Sequence, residues 1–108
     1  MPGSNLTAKV PLLKAANLEE GGSGGMSDGT LFGWPMLTAA TDAPDMAEKF
    51  GRVCGTEGAS VGINWTFSPV CDLDLNYQNP ITNVRTYGSD AETVLRMANG
   101  YIRGMKVS

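Results

Sequence analysis

Apolar residues along this chain change spacing several times, and each change marks an element. Val10 to Ala16 (VPLLKAA) is an apolar run of strand length, with Pro11 near its start, where a strand needs no ladder donor. Gly21 to Gly29 (GGSGGMSDG) holds five glycines in nine residues, which disfavours helix and strand alike and predicts a loop. That loop reads either as a flexible connector or as backbone lying close to a ligand. From Thr41 the spacing becomes helical. Met46, Ala47, Phe50, Val53 and Cys54 recur three and four residues apart behind Pro44, with Thr41 or Asp42 as cap, and the pattern fades at Gly55 to Gly58. Val61 to Val70 is a second strand. A second long helix starts at Ser89, whose capping box reaches Glu92, and its inner stripe reads Val94, Leu95, Ala98, Ile102 and Met105.

Strands that alternate with helices in this way predict parallel pairing and an α/β architecture. Two such units leave both sheet edges open, and strands as apolar as VPLLKAA and INWTFSPV call for cover on both faces. The expectation is a βαβα segment of a TIM-type (β/α)8 barrel, about a quarter of the roughly 250 residues such a barrel takes. Residues 1–7 read as a leader and 8–108 as the barrel segment. Open edges also predict a homo-oligomer.

Composition narrows the classes of function. The chain has 108 residues, 42% hydrophobic and 18% charged, with a net charge of −3 and no basic cluster. Neither nucleic acid nor an anionic membrane is favoured as a partner. No apolar run approaches the roughly 18 residues that span a bilayer, and no signal core is visible. The compartment is left open, with the cytoplasm favoured over export. Cys54 and Cys71 have no CxxC or histidine company and read as small buried thiols.

Candidate chemistry gathers between Gly62 and Asp90. Asp72 and Asp74 stand at the exit of the second strand, where barrels of this class keep their chemistry, and Arg85 returns just before the last helix. Asp72 and Arg85 read as part of one wall of an active site or as a buried ion pair that fixes the loop. Asp74 and Asn76 open like a calcium loop, but Tyr77 holds the glycine position, so no metal is assigned. Glu19 and Glu20 read as solvated loop charges or as partners of nearby helix amides. Trp65 and Phe67 read as core, and Trp34 as the better exposed aromatic.

VPLLKAANLEEGG, the P-x-x-x-A-A-T-D opening of a helix, the G-x-N-x-x-x-x-P-V-x-D strand and R-x-[FY]-G-S-D occur here in order. Together they resemble the N-terminal catalytic barrel of glycoside hydrolase family 3, and most of all its bacterial β-glucosidase and β-N-acetylhexosaminidase-like members, over residues 8–106. The resemblance implies a retaining β-glycosidase acting on terminal β-linked glucose or N-acetylglucosamine, with a carbohydrate partner and no cofactor. It implies substrate contacts at Asn17, which replaces the family's acid after the first strand, at Asp72 and at Arg85. The family's nucleophilic aspartate and its Lys-His pair follow the part of the barrel that matches this chain, so no catalytic residue is assigned and the chain alone is expected to be inactive. A non-catalytic, self-associating α/β module is the alternative. A complete small enzyme of another type finds no nucleophile and base pair to support it.

Overall fold

The computed structural model describes residues 9–107. The leader expected over 1–7 lies outside them. In chain order the elements are β1 (Ala15–Ala16), a 3-10 turn (Gly22–Gly24), α1 (Pro35–Ala39), α2 (Pro44–Ser60), β2 (Trp65–Thr66), a second 3-10 turn (Asn83–Arg85) and α3 (Ala91–Lys106). β1 and β2 pair in parallel, Ala15 opposite Trp65 and Ala16 opposite Thr66. The expected βαβα order with parallel strands is therefore present.

Both strands are shorter than the apolar runs that predicted them. Val10 to Ala16 reduces to Ala15–Ala16 and Val61 to Val70 to Trp65–Thr66, because a ladder extends only where the two segments run alongside each other. Phe67 N–H donates to the Ala16 carbonyl at 3.2 Å and Asn64 N–H to that of Lys14 at 3.0 Å. The Asn64 side chain accepts from Lys14 N–H at 2.7 Å and donates to the Leu12 carbonyl at 3.1 Å, sewing the start of β2 to β1.

The helices carry the packing. α2 runs through the glycines where its pattern fades and ends at Ser60. Glycine weakens an isolated helix, but here it permits close approach. A Cβ on Gly51 would stand 2.1 Å from the Tyr101 carbonyl oxygen, and one on Gly104 would stand 1.9 Å from that of Glu48. Each helix thus offers a bare backbone to the other. Both caps fall elsewhere than expected. Ala43 is the N-cap of α2, with Thr41 Oγ1 accepting from Ala43 N–H in the preceding turn. Asp90 rather than Ser89 caps α3, its carboxylate accepting from Thr93 N–H at 3.0 Å and Thr93 Oγ1 at 2.8 Å. Asp42 adopts φ 52, a left-handed conformation that aspartate tolerates, and pairs with Arg96 of α3 at 3.0 Å.

Two clusters form the core. Leu18, Phe50, Cys54, Ile63 and Tyr101 fill the space between the strand ends and the helices. Ala47, Tyr87, Val94, Met97 and Ala98 fill the far end of the α2–α3 pair. The inner stripe of α3 is therefore Val94, Met97, Ala98 and Tyr101, while Leu95 and Ile102 face outward. Tyr101 is 1% exposed, and its hydroxyl donates to the Leu18 carbonyl at 2.7 Å and lies 2.9 Å from Ser68 Oγ. One side chain of α3 thereby ties the exits of both strands. Burial raises the Tyr101 and Tyr87 phenols well above their ordinary value.

Trp65 and Phe67, read as core, are exposed, as is Cys71. The alternation that placed them inward needs a second layer over the sheet, and no described residue supplies one. The peptide bond between Ser68 and Pro69 is cis. Among the described residues, no helix is long and apolar enough to cross a membrane.

Candidate functional site

The chain leaves β1 at Asn17 and turns at once into the glycine segment. The glycines of that segment pack closely against the chain's own backbone and side chains, and Gly24 also faces an open cleft. A Cβ on Gly24 would meet the Asn17 carbonyl oxygen at 1.7 Å, and one on Gly21, at φ +135, the Thr30 carbonyl oxygen at 2.0 Å. Glu57 of α2 holds the loop from below, its carboxylate accepting from Thr30 N–H at 2.9 Å and from the Thr30 hydroxyl. The loop is folded tightly enough to aim the residues on either side of it.

Those residues line an open cleft of about 450 Å³, bounded by Asn17, Glu19, Glu20, Gly24, Trp34 and Arg85. Leu18 points the opposite way, into the core. The alternation leaves Asn17 and Glu19 on the cleft side, as strand periodicity requires. Trp34, 40% exposed at the start of α1, forms an aromatic wall.

Arg85 enters from the second 3-10 turn, its N–H donating to the Thr82 carbonyl at 2.8 Å. Its side chain meets Glu19 in a two-point contact, Nε to Oε2 at 2.9 Å and Nη2 to Oε1 at 2.9 Å, and Nη1 donates to the Ile81 carbonyl at 3.3 Å. The Glu19 side chain is 7% exposed and that of Arg85 38%. Hydrogen bonding to Glu19, then its charge, raises the Arg85 pKa above the ordinary value, and Asp72 adds a smaller contribution. A carboxylate this buried needs a partner: removing the guanidinium is expected to cost about 1–3 kcal/mol, below the range for fully buried pairs because Arg85 is partly in water.

The ion pair anticipated between Asp72 and Arg85 is therefore made by Glu19 instead. Asp72 is exposed and is not among the residues that line the cleft. The structure brings Asn17 and Arg85 to one opening, adds Trp34, and moves Glu19 and Glu20 from solvated charges to cleft walls. The signal for Glu19 was its place two residues beyond Asn17 on the same face; its pairing across 66 residues had no local signature. The Asp74 to Asn76 segment is used in a turn, with Asn76 Oδ1 accepting from Gln78 N–H at 3.0 Å.

Charged donors, an amide, carboxylates and an aromatic plane around an open cleft are the groups that bind polyhydroxylated ligands. The family model described as "Glycosyl hydrolase family 3 N terminal domain" matches residues 3–108. A beta-N-acetylglucosaminidase/beta-glucosidase from Cellulomonas fimi is 47% identical over 100 residues, covering 93% of this chain and 18% of its own length. The solved beta-glucoside phosphorylase BglX bound to 2FGlc superposes with a TM-score of 0.91 at 55% identity, over 94% of this chain and 19% of that one. A glycoside hydrolase family 3 beta-N-acetylglucosaminidase from Paenibacillus superposes with a TM-score of 0.84 at 32% identity, over 91% and 19%. The chain thus spans less than a fifth of these relatives.

Proposed function

The chain belongs to glycosyl hydrolase family 3, and from that premise we propose that it is the sugar-binding wall of a (β/α)8 barrel that processes terminal β-linked glucose or N-acetylglucosamine. Asn17 and Arg85 contact sugar hydroxyls in the cleft, Asp72 does so from the exit of β2, and the reacting carboxylate comes from another part of the enzyme. The observation that carries this reading is Arg85, held rigidly beside Asn17 and Trp34 at one opening. Retaining hydrolysis needs a free carboxylate to attack the anomeric carbon and a second acidic group about 5 Å from it. Glu19 is committed to Arg85 and the chain contains no histidine. Asn17 and Arg85 carry no carboxylate and therefore bind and orient.

The test is a chimera in which residues 9–107 replace the matching segment of the Cellulomonas fimi relative. The 108-residue chain alone is expected to release no nitrophenol from 4-nitrophenyl β-D-glucoside or its N-acetylglucosaminide analogue, and the chimera is expected to release it. A correctly folded but inactive chimera would count against the proposal.

The likeness to a beta-glucoside phosphorylase favours a second reading of the same site. In hydrolysis the anomeric carbon leaves its glycosidic oxygen for water; in phosphorolysis it leaves for a phosphate oxygen. Supplying inorganic phosphate to the chimera and analysing the sugar product distinguishes them, free glucose indicating the first and glucose 1-phosphate the second. Exposed Val10, Leu13, Trp65 and Phe67 beside a two-stranded sheet also support self-association of the isolated chain.

A further inference from the structure

We propose that Glu19 is a positioning residue for sugar recognition: it holds the Arg85 guanidinium so that its remaining N–H groups serve the cleft. The inference rests on the reading of the cleft as a sugar subsite and concerns how that subsite is kept ready.

Glu19 is almost fully buried, a costly place for a carboxylate that merely decorates a loop. Both its oxygens are spent on one partner, each at 2.9 Å. A single contact would leave the guanidinium free to rotate, whereas two parallel contacts to Nε and Nη2 fix its plane. The Ile81 carbonyl restrains the third nitrogen at 3.3 Å. Of the five donors a guanidinium carries, three are engaged, so one N–H remains on each terminal nitrogen. Asn17 and Trp34 line the same opening as that half-exposed head. Glu19 is itself held in place, because Leu18 beside it is locked in the core and its carbonyl accepts from Tyr101. Without Glu19, Arg85 regains rotamer freedom that a sugar would have to remove again on binding.

The test uses the 15N-labelled 108-residue chain, with methyl β-D-glucopyranoside as probe and nuclear magnetic resonance as readout. In the wild type, the Arg85 Nε–H signal is expected to be resolved and slow to exchange, apart from those of Arg52, Arg96 and Arg103. Glu19→Gln should return it towards those signals and weaken probe binding about ten-fold, the order of one charge-assisted hydrogen bond. Glu19→Asp, which keeps the charge but shortens the reach, should fall between. A wild type that shows no saturable shifts overturns the subsite reading and this inference with it. A wild type that binds, with Glu19→Gln folded and within about two-fold of it, overturns the positioning role alone. Should Glu19→Gln lose the α3 amide pattern, Glu19→Asp decides: a folded variant with unchanged affinity overturns the role, and one with reduced affinity supports it.

Discussion

Gly104→Ala sets two effects of known sign against each other. Alanine is favoured over glycine inside a helix by about 1 kcal/mol, so propensity alone would make this change in α3 stabilising. Packing opposes it. The added Cβ would sit 1.9 Å from the Glu48 carbonyl oxygen and 2.7 Å from Arg52 N–H nitrogen, both backbone atoms of α2 and both inside the 3.0 Å that real Cβ contacts essentially never breach. No side-chain rotation relieves such a clash, so the helices must part by roughly 1 Å, with overpacking costs of about 1–3 kcal/mol or more. The seam is continuous: Gly100 faces the Pro44 carbonyl oxygen at 2.6 Å and Gly51 that of Tyr101 at 2.1 Å. Relief at one point therefore disturbs the others, and we expect a net loss of about 2 kcal/mol, or about 8–16 °C in Tm for a domain this size. Gly58→Ala is the control. Its nearest obstacle is the Leu18 Cδ1 at 2.9 Å, the far end of a flexible side chain, and it is expected to stay within about 1 kcal/mol of wild type. Urea unfolding followed by far-UV circular dichroism measures both. A Gly104→Ala protein as stable as wild type, or more so, would refute the close helix contact on which the fold rests.

Further outcomes can be measured on the same material. Tyr101→Phe removes the buried hydrogen bond to the Leu18 carbonyl, while Ser68 keeps its Thr66 partner, and should cost about 1–3 kcal/mol in urea unfolding, with little change in m. Thr93, through its hydroxyl and then its backbone N–H, depresses the Asp90 pKa below its ordinary 3.8. The cap contribution is therefore fully present above the ordinary value and lost as pH falls through the depressed one. The Tm gap between wild type and Asp90→Ala should accordingly be constant near neutrality and narrow below about pH 4; a gap that persists unchanged in acid would contradict the cap. Cys71 is exposed, whereas burial raises the Cys54 thiol to about 12. A thiol reagent at neutral pH should label Cys71 quickly and Cys54 only in denaturant, and rapid labelling of both would show the first core cluster to be open. Light scattering over a concentration series should give a mass above that of one chain, and a concentration-independent monomer would count against open edges and apolar faces driving association.

The long helices were legible because α2 and α3 each bury one stripe, and period survives even where glycines interrupt it. Their inner faces were less so. Leu95 and Ile102 looked like core beside Val94, yet Met97 and Tyr101 took those places, because the stripe follows α2's glycine seam and not hydrophobicity alone. The parallel order of the strands was readable, but their length was not, since pairing depends on a partner remote in sequence. Arg85 was singled out by its return just before α3 and Asn17 by the family resemblance, and both line the cleft. Glu19 was undervalued because a buried carboxylate is legible only when its cation is known, and Arg85 lies 66 residues away. The ion pair read as one alternative for Asp72 and Arg85 forms with Glu19 instead, because the second 3-10 turn carries Arg85 back towards β1.

The most direct test of the sugar-binding role is Arg85→Ala in the chimera with the Cellulomonas fimi relative, read as separate kcat and KM for 4-nitrophenyl β-D-glucoside. Loss of an arginine that holds the sugar should lower kcat/KM by about 100-fold, the order of two charge-assisted hydrogen bonds, in a protein whose circular dichroism is unchanged. A folded Arg85→Ala chimera with wild-type kcat/KM would show that the cleft at the end of β1 is not where the sugar binds.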